Sequence, residues 1–347
     1  MTLLSDSDNN NTMHPADAKT RELATVCYLY YRRGLTQTEI AGRLGKSNMT
    51  VSRLLREARD RGIVQFRLTV PCPSDPQVEA RLKSAFDGLD DAIAVENELL
   101  DANHLKRRLG QAAAGYLPFF LKEEIHIGIG GGDTLAHLVE AFDDPMGLTG
   151  ITVVQLTGDT GAMARLGNET LTTQRLSEKL GGEGFFCPIP SPLDQRSLED
   201  GEQLLARFGS KAKERWDRID VGVVGIGTLQ SRVSPSREGY VSEAQFDRLR
   251  KRGAVGDILL HFFGLDGRVV DTTFDDTVTA ISWEQLERVE TLIAVAGGDH
   301  KAEAILAALR SGRVNVLITD RDTALRVLEI ETADCTKTEK REPPCPP

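Results

Sequence analysis

Apolar residues recur at helical spacing near the start of the chain. Between residues 20 and 60, three stretches place them three or four positions apart, which predicts three amphipathic helices. The first helix is expected to end at Gly34. The second begins at Thr36, with Glu39 three residues later as in a capping box, and stops at Gly45. We therefore expect a small helical unit with short turns.

The third predicted helix follows after a turn of two residues, with Ser47 as its cap. Its apolar stripe is formed by Val51, Leu54 and Leu55. Helix, tight turn and helix, with the small Ala41 where the helices cross, predict a helix-turn-helix. The next residues, GIVQFRLTV at 62–70, alternate apolar and polar side chains, which predicts the strand of a small wing.

Further along the chain, short apolar runs alternate with amphipathic helical stretches. EIHIGIG precedes DTLAHLVEAF, ITVVQLTG precedes LTTQRLSEKLGG, and TLIAVAGG precedes KAEAILAALRSG. Repeated strand-then-helix order predicts a doubly wound parallel α/β sheet, so the chain is expected to be a multi-domain α plus α/β protein. Such sheets bind ligands at the carboxyl ends of their strands.

Three prolines in the seven residues PCPSDPQ mark a domain boundary. The predicted divisions are a disordered leader at 1–18, a winged-type helix-turn-helix domain at 19–70, a Pro-rich linker at 71–77, an effector-binding α/β domain at 78–332 and a disordered tail at 333–347. The leader is polar and acidic, and the tail is charged and Pro-rich, which are compositions typical of disorder.

Charge is distributed unevenly along the 347 residues, whose net charge is −10. Residues 19–69 hold 11 Lys and Arg against 4 Asp and Glu, so a basic head precedes an acidic body. A basic helical unit favours binding to a polyanion such as double-stranded operator DNA. The alternative is a three-helix protein-interaction module with a solvated basic face.

The candidate DNA-binding residues lie at the starts of the second and third helices and along the third. They are Thr36, Gln37, Ser47, Asn48, Met49, Thr50, Ser52, Arg53 and Arg56. Short polar side chains at a helix N-terminus can reach base edges or phosphates in the major groove, and arginines attract the DNA backbone.

Composition excludes several other classes. Five cysteines without a C-x-x-C pair argue against a disulfide framework or a zinc site and favour a reducing cytoplasm. The six histidines show no metal-binding spacing, so we expect neither a metal nor another cofactor. No apolar run approaches 18 residues, so no membrane span is expected.

Glycine-rich turns fall where predicted strands end. In HIGIGGGDTL, Gly130, Gly131 and Gly132 lead into a helix that Asp133 and Thr134 open. Backbone N–H groups at such a turn favour an anionic or multiply hydroxylated ligand. Asp133 can equally be a plain helix cap, and its carboxylate competes with phosphate but readily accepts hydrogen bonds from sugar hydroxyls.

Two charged residues stand out in later stretches. Lys301 begins a helix after VAGGDH, where the helix dipole disfavours a cation, so it either extends into solvent or reaches an anionic ligand. Asp257 lies among apolar residues in RGAVGDILLHFFGLDG and is expected to have a partner or a ligand. The residues alone leave these alternatives open.

Together these stretches resemble the SorC family of bacterial sugar-responsive transcriptional regulators. The resemblance covers about residues 20–330 and is carried by the basic head, GIGGGDTL, GVVGIGTL, GAVGDILLHFFGLDG and IAVAGGDHKAEAILAALRSGRVNVLITDRDTA. It implies a homo-oligomer, either a dimer or a tetramer, whose effector domain is similar in fold to sugar-phosphate isomerases. It also implies an effector bound over Gly130–Thr134 and contacted by Asp257 and Lys301.

The expected function is a DNA-binding transcriptional regulator whose operator affinity is controlled by a sugar, polyol or sugar-phosphate effector. Asp133 stands where family members differ, so the resemblance leaves open whether the effector is phosphorylated. The alternative is an isomerase- or deaminase-like enzyme fused to a DNA-binding head, with Asp257 as general base and Lys301 as electrophile. No His/Glu constellation or obvious nucleophile accompanies them in the sequence, so we assign no catalytic residue.

Overall fold

The structure is a computed structural model that describes residues 15–64, 73–96, 101–142, 147–158, 168–188, 209–230, 243–270 and 279–339. The chain divides into two compact units, residues 1–70 and residues 71–347. Each unit has a hydrophobic core of its own.

The first unit contains three helices in the predicted order. They are α1 (Pro15–Cys27, continued by a π-helical turn at Tyr28–Arg32), α2 (Gln37–Leu44) and α3 (Asn48–Asp60). Thr36 and Glu39 form the predicted capping box of α2, and Ser47 caps α3 by accepting the N–H of Thr50. Gly45 ends α2 with a φ of 63°, a left-handed conformation that glycine adopts readily.

The core of the first unit lies where the three helices meet. It is formed by Leu23, Val26, Cys27, Ile40, Ala41, Val51, Leu54, Leu55 and Ala58. Ala41 and Ala58 are both buried, and their small side chains let the helices approach closely. The predicted wing strand falls mostly on residues 65–70, which lie outside the described residues, and it stays a prediction.

The second unit is built on a seven-stranded sheet whose described strand pairs are all parallel. From one edge to the other, the strands are β1 (Asp91–Val95), β10 (Val316–Asp320), β9 (Thr291–Val295), β5 (Val221–Val224), β2 (His126–Ile129), β3 (Thr152–Gln155) and β4 (Glu183–Phe185). β1 pairs with β10 in a register that places Asp91 opposite Val316. The first and last strands of the unit are therefore neighbours.

Helices cover both faces of this sheet. One face carries α5 (Ala102–Tyr116), α6 (Asp133–Ala141) and α7 (Glu169–Lys179), and the other carries α4 (Pro76–Ala85), α8 (209–216), α10 (Trp283–Leu286), α11 (Ala302–Arg310) and α12 (Arg321–Glu339). Side chains alternate between the two cores along each strand, so that Leu292 joins one core and Ile293 the other. The predicted doubly wound architecture is confirmed.

The structure contains a second, antiparallel sheet that the sequence patterns do not predict. It consists of β6 (Gly227–Thr228), β7 (Ala254–Ile258) and β8 (His261–Gly264), with α9 (Glu243–Lys251) packed beside β7. A two-residue turn of Leu259 and Leu260, with φ of 50° and 70°, joins β7 to β8. Such turns normally contain Asn and Gly, because residues with a side chain disfavour positive φ. Two leucines at these positions give no sequence signal for a hairpin.

The ends of the predicted domains differ from the structure in three places. α1 begins at Pro15 within the predicted leader, since proline at the first helical position favours a helix start. α4 begins at Pro76 within the predicted linker, and Asp75 caps it. α12 continues to Glu339 within the predicted tail, because no Pro or Gly interrupts it. Residues 1–14 and 340–347 lie outside the described part of the chain.

Candidate functional site

The face of α3 that points away from the core carries one apolar and three polar side chains. Ser52 and Arg53 lie three and four residues after Met49, and Arg56 lies four and three residues after them, so the four residues share one stripe. Met49 is 83% exposed, the largest value among the exposed large hydrophobic residues of the described chain. We refer to these four residues as the α3 stripe.

Acidic residues of the first unit pair with basic residues outside the α3 stripe. Glu22 pairs with Lys46 at 2.6 Å and Lys19 at 2.9 Å, and Glu57 pairs with Arg61 at 2.6 Å. Among the described residues, no carboxylate lies within ion-pair distance of Arg53 or Arg56. The two arginines of the stripe thus present their charge outward.

The other predicted DNA-binding residues lie at the two helix starts, and most have structural contacts there. The side chains of Thr36 and Ser47 are caps, and Gln37 is half-buried as the first residue of α2. The Asn48 amide donates to Thr38 Oγ1 at 3.0 Å, and this bond ties α3 to α2. The hydroxyl of Thr50 lies 2.8 Å from that of Ser47. These contacts fix the angle at which the α3 stripe is presented.

In the second unit, the chain order reverses between the neighbouring strands β2 and β5. From β2 the chain continues outward through β3 and β4, and from β5 it continues the opposite way to β9 and β10. Loops diverge at such a point and leave a crevice in which α/β proteins bind ligands. The glycine turn Gly130–Gly132 follows β2, and Gly225 follows β5, so both lie at this crevice.

Close contacts explain the glycines of the turn after β2. A Cβ atom on Gly130 would lie 3.0 Å from a methyl group of Leu259, and one on Gly131 would lie 2.4 Å from Oε1 of Glu169. Gly132 has a φ of 114°, which glycine adopts far more readily than other residues. The turn is therefore pressed between the β7–β8 hairpin and the first residue of α7.

Asp133 pairs with a neighbouring helix and is not the cap of α6. Its carboxylate lies 2.6 Å from Lys106 Nζ of α5, and both side chains are about one-third exposed, at 34% and 32%. Gly132 holds the cap position of α6 and has no side chain to accept the first N–H groups of the helix. These N–H groups and the hydroxyl of half-buried Thr134 are thus the polar groups that the start of α6 offers.

Lys301 points toward the crevice and not into solvent. It lies in a 3₁₀ turn before α11, and its Nζ donates to the carbonyl oxygen of Ile226 at 2.7 Å. Asp257 lies in β7, where it pairs with Gly227, the residue that follows Ile226 in the chain. Its side chain is buried, and the residue is 7% exposed. The structure therefore brings Lys301 and Asp257 together at the segment that follows β5.

Asp257 has a structural contact as well. Its carboxylate accepts the N–H of Leu260 at 3.3 Å, which supports the β7–β8 turn. The sequence-based expectation of a partner is thus met within the hairpin itself. An asparagine at this position would retain an acceptor oxygen for that bond but lose the charge.

In the glycine turn after β9, the backbone N–H of Gly298 already has hydrogen-bond partners within the protein. The N–H of Gly298 lies 2.8 Å from both Asp320 Oδ2 and Thr323 Oγ1, and Asp320 is 1% exposed. Burial, together with the nearby charge of Lys301, lowers the pKa of His300 below its usual value. The imidazole of His300 therefore loses its proton more readily than an ordinary histidine side chain.

The start of α7 adds residues that sequence reasoning missed. Asn168 caps α7 through the N–H of Leu171 and is buried, and Glu169, beside Gly131, is 8% exposed. The Asn168 Nδ2 and the hydroxyl of Thr157, which follows β3, are buried without a hydrogen-bond partner. The sequence around these two residues carries no motif that singles them out, although Asn before Glu is a cap signal.

Metal and membrane features were searched over the same part of the chain. Among the described residues, no group of His, Cys, Asp and Glu side chains is arranged to hold a metal ion. None of the described helices combines the length and the apolar character needed to cross a bilayer.

Two family models match the chain. The model described as "Putative sugar-binding domain" matches residues 72–329, and "Sigma-70, region 4" matches residues 20–61. The transcriptional regulator LsrR of Klebsiella pneumoniae subsp. pneumoniae is 30% identical over 331 residues, which cover 93% of this chain and 98% of that protein. The sorbitol operon regulator of Klebsiella pneumoniae is 27% identical over 310 residues, which cover 89% of this chain and 98% of that protein.

A solved structure extends the similarity to the fold. The full-length crystal structure of the sorbitol operon regulator SorC from Klebsiella pneumoniae matches with a TM-score of 0.66 at 27% identity. The match covers 90% of this chain and 99% of that one.

These matches define a DNA-binding transcriptional regulator with a sugar-binding domain. The chain belongs to the SorC family of sugar-responsive transcriptional regulators, as its motifs indicate. Its relatives are regulators and not isomerases or deaminases, which confirms the prediction that the chain is not an enzyme. The match to Sigma-70 region 4 likewise favours DNA binding over a protein-interaction module.

Proposed function

We propose that a sugar, polyol or sugar phosphate bound in the second unit changes the affinity of the first unit for double-stranded operator DNA. The observation that carries this proposal is the convergence at the β2/β5 crevice. Lys301 donates a hydrogen bond to the carbonyl oxygen of Ile226, and Asp257 is the strand partner of the next residue, Gly227. The glycine turn after β2 lies across the same crevice.

The proposed effector site comprises Gly130–Thr134, Asp257 and Lys301. The N–H groups at the start of α6 donate to the ligand, since Gly132 leaves them uncapped. Lys301 donates to a ligand oxygen, and Asp257 accepts from a hydroxyl. Asn168 and Glu169 extend the same site toward α7, because Glu169 contacts Gly131.

The proposed DNA interface is the α3 stripe. Arg53 and Arg56 attract phosphates, and Ser52 and Met49 reach base edges in the major groove. One helix-turn-helix reads a short half-site, so we propose a homo-oligomer, a dimer or a tetramer, that reads two half-sites about one helical turn or a multiple apart. The compartment proposed is the cytoplasm, where operator DNA is found.

The test couples effector binding to DNA binding. A thermal-shift screen of sugars, polyols and their phosphates identifies the effector, because a ligand of the native state raises its stability. Fluorescence anisotropy with a selected operator then gives the Kd with and without that compound. For the native sequence we expect a change of about 5–150-fold.

Lys301→Ala and Asp257→Asn should abolish this response while the effector-free Kd stays within about twofold of the native value. Lys211→Ala, which removes an exposed lysine from α8, is the control and should respond like the native protein. Loss of DNA binding with unchanged effector affinity in the two site variants would remove both residues from the effector site and assign them to the framework.

A further inference from the structure

We infer that Arg321 fastens the linker from the DNA-binding unit to the second unit, and that this fastening carries the state of the effector crevice to the linker. The inference rests on the proposed function, since it names the contacts by which an effector would act on DNA binding. Arg321 is thus a positioning residue, and Asp75 is its partner. The contacts that support the inference all lie within the second unit.

Residues 73–75, where the chain enters the second unit, lie along the outer edge of the parallel sheet. Ser74 forms an antiparallel bridge with Val95 of the edge strand β1. Two backbone hydrogen bonds flank this bridge, from Asp75 to Ala94 at 2.9 Å and from Glu96 to Pro73 at 2.8 Å. Because β1 pairs with β10 on its other side, this short attachment can be released without breaking the sheet. We refer to residues 73–75 as the linker strand.

One carboxylate closes the linker strand. Oδ2 of Asp75 accepts from Nε of Arg321 at 2.8 Å, while Oδ1 accepts the N–H groups of Gln77 and Val78 at the start of α4. Arg321 is the first residue of α12 and directly follows β10. The side chains of Arg321 and Asp75 are 43% and 20% exposed. Since a partly exposed ion pair adds little to stability, we assign the pair a positioning role.

The residue before Arg321 holds the turn that carries Lys301. Oδ2 of Asp320 and Oγ1 of Thr323 each accept the N–H of Gly298 at 2.8 Å. Thr323 donates its hydroxyl to the same carboxylate at 2.7 Å and its N–H at 3.0 Å. The carbonyl oxygen of Gly298 accepts the N–H of Lys301 at 2.8 Å. A continuous chain of contacts therefore joins Lys301 to the linker strand.

Burial and close packing make this chain of contacts stiff. Asp320 is 1% exposed, and Thr323 is buried. A Cβ atom on Gly297 would lie 2.4 Å from Oδ2 of Asp320. Asp320 also lies opposite Val95 in the sheet, and Val95 is the residue that forms the bridge to Ser74. A displacement of the turn after β9 is therefore passed on to β10 and to the linker strand.

An effector has a direct route to this turn. Nζ of Lys301 donates to the carbonyl oxygen of Ile226 at 2.7 Å, and an effector oxygen bound to the same ammonium group would pull against this bond. The pull displaces the 3₁₀ turn Asp299–Lys301 and loads the bond from Gly298 to Asp320. The two states of the device are a linker strand that is held and one that is released, which is the two-state element that coupling requires.

Hydrogen exchange of the full chain, read by mass spectrometry without any added compound, tests the chain of contacts from both ends. Thr323→Val removes a hydroxyl at the crevice end, and we expect the peptides that contain Asp75 and Glu96 to exchange about tenfold faster. Arg321→Gln acts at the linker end and should speed exchange of the peptide that contains Gly298 by a similar factor.

Each variant has a matched control in α12. Thr332→Val changes a hydroxyl that donates to the carbonyl oxygen of Leu328 within the helix. Arg326→Gln changes an arginine that pairs with Glu329 one turn along. Both controls should exchange at the native rate in the three peptides. Circular dichroism and the thermal midpoint establish that each variant is folded.

Operator binding then shows whether the fastening matters for DNA binding. The probe is an equimolar pool of hexitols, pentitols and their monophosphates, and the operator Kd is measured with and without it. Asp75→Asn keeps a cap for α4, since Asn and Asp cap helices equally well, but loses the charge that pairs with Arg321. We expect the effect of the pool on Kd to fall about fivefold or more in Asp75→Asn and in Arg321→Gln. The double variant should respond like either single one, because both remove the same contact.

The outcomes separate this inference from the proposed function. Exchange that speeds only at the substituted end, or a native response of the operator Kd in Arg321→Gln, would overturn the inference and leave the proposed function standing. Reciprocal exchange together with a reduced response supports both. A pool that leaves the operator Kd of the native chain unchanged would overturn the proposed function, and the inference with it.

Discussion

Gly110 of α5 lies against the backbone of α6, and alanine there should destabilise the second unit. A Cβ atom on Gly110 would lie 2.6 Å from the backbone nitrogen of Leu138 and 2.7 Å from Cβ of His137. Backbone atoms cannot rotate away, so the two helices must separate. Such overpacking costs about 1–3 kcal/mol. The higher helix propensity of alanine offsets about 1 kcal/mol of this.

The matched control lies in the same helix. Apart from the backbone of its own helix, the described residues place no atom within 4 Å of a Cβ on Gly115, so Gly115→Ala should gain helix propensity without a clash. We expect Gly110→Ala to lower the free energy of unfolding by up to about 2 kcal/mol and the thermal midpoint by up to about 8 °C. Gly115→Ala should raise the free energy of unfolding by about 0.5–1 kcal/mol.

Tryptophan fluorescence during urea unfolding is a suitable assay. Both tryptophans of the chain, Trp216 and Trp283, lie in the second unit, so the signal reports that unit alone. Because α6 begins at the glycine turn, Gly110→Ala should also weaken effector binding, whereas Gly115→Ala should not. A Gly110→Ala protein as stable as Gly115→Ala would refute the close approach of α5 and α6.

Three further predictions concern the first unit. Arg53→Ala should weaken operator binding and make the slope of log K against log salt concentration less steep by about 0.9 for each DNA-binding unit that contacts the operator. Anisotropy at several salt concentrations measures this slope, and an unchanged slope would show that Arg53 does not contact a phosphate. Replacing single operator thymines by uracil should identify a position where loss of the methyl group weakens binding about threefold, and Met49→Ala should abolish that sensitivity. Glu22 has its pKa lowered by hydrogen bonds from Lys46 and Lys19, so its contribution to stability is present above its usual pKa and is lost as the pH falls through the lower folded-state value. Glu22→Gln should therefore flatten the acid-side loss of helical circular dichroism, and a steeper loss would contradict the assigned pairing.

Much of the first unit follows from local rules. Capping residues, glycine stops and a stripe of apolar side chains act within one or two helical turns, so Thr36, Gly45 and Ser47 mark the helix ends in the sequence itself. The parallel strands are equally legible, because both of their faces are buried and they read as apolar runs. The antiparallel sheet could not be predicted from the sequence. Its turn contains Leu259 and Leu260 at positive φ, which leucine disfavours, and Leu259 packs against Gly130.

The site is only partly readable from the sequence for a related reason. Glycines and charged residues beside strand ends mark Gly130–Thr134, Asp257 and Lys301 as candidates. Glu169 acquires its place only because α7 packs against the turn after β2, a contact between residues far apart in the chain. The bond from Asp257 to Leu260 likewise depends on a hairpin that pattern reading does not predict.

The pairing of β1 with β10 has a consequence for synthesis of the chain. Asp91 of β1 lies opposite Val316 of β10. The edge strand β1 therefore cannot pair until β10, more than 200 residues later in the chain, has left the ribosome. At about 5–20 residues per second this delay is roughly 10–50 s, whereas α1, α2 and α3 need only contacts within their own unit. The DNA-binding head can therefore form on the nascent chain well before the sugar-binding domain closes its sheet.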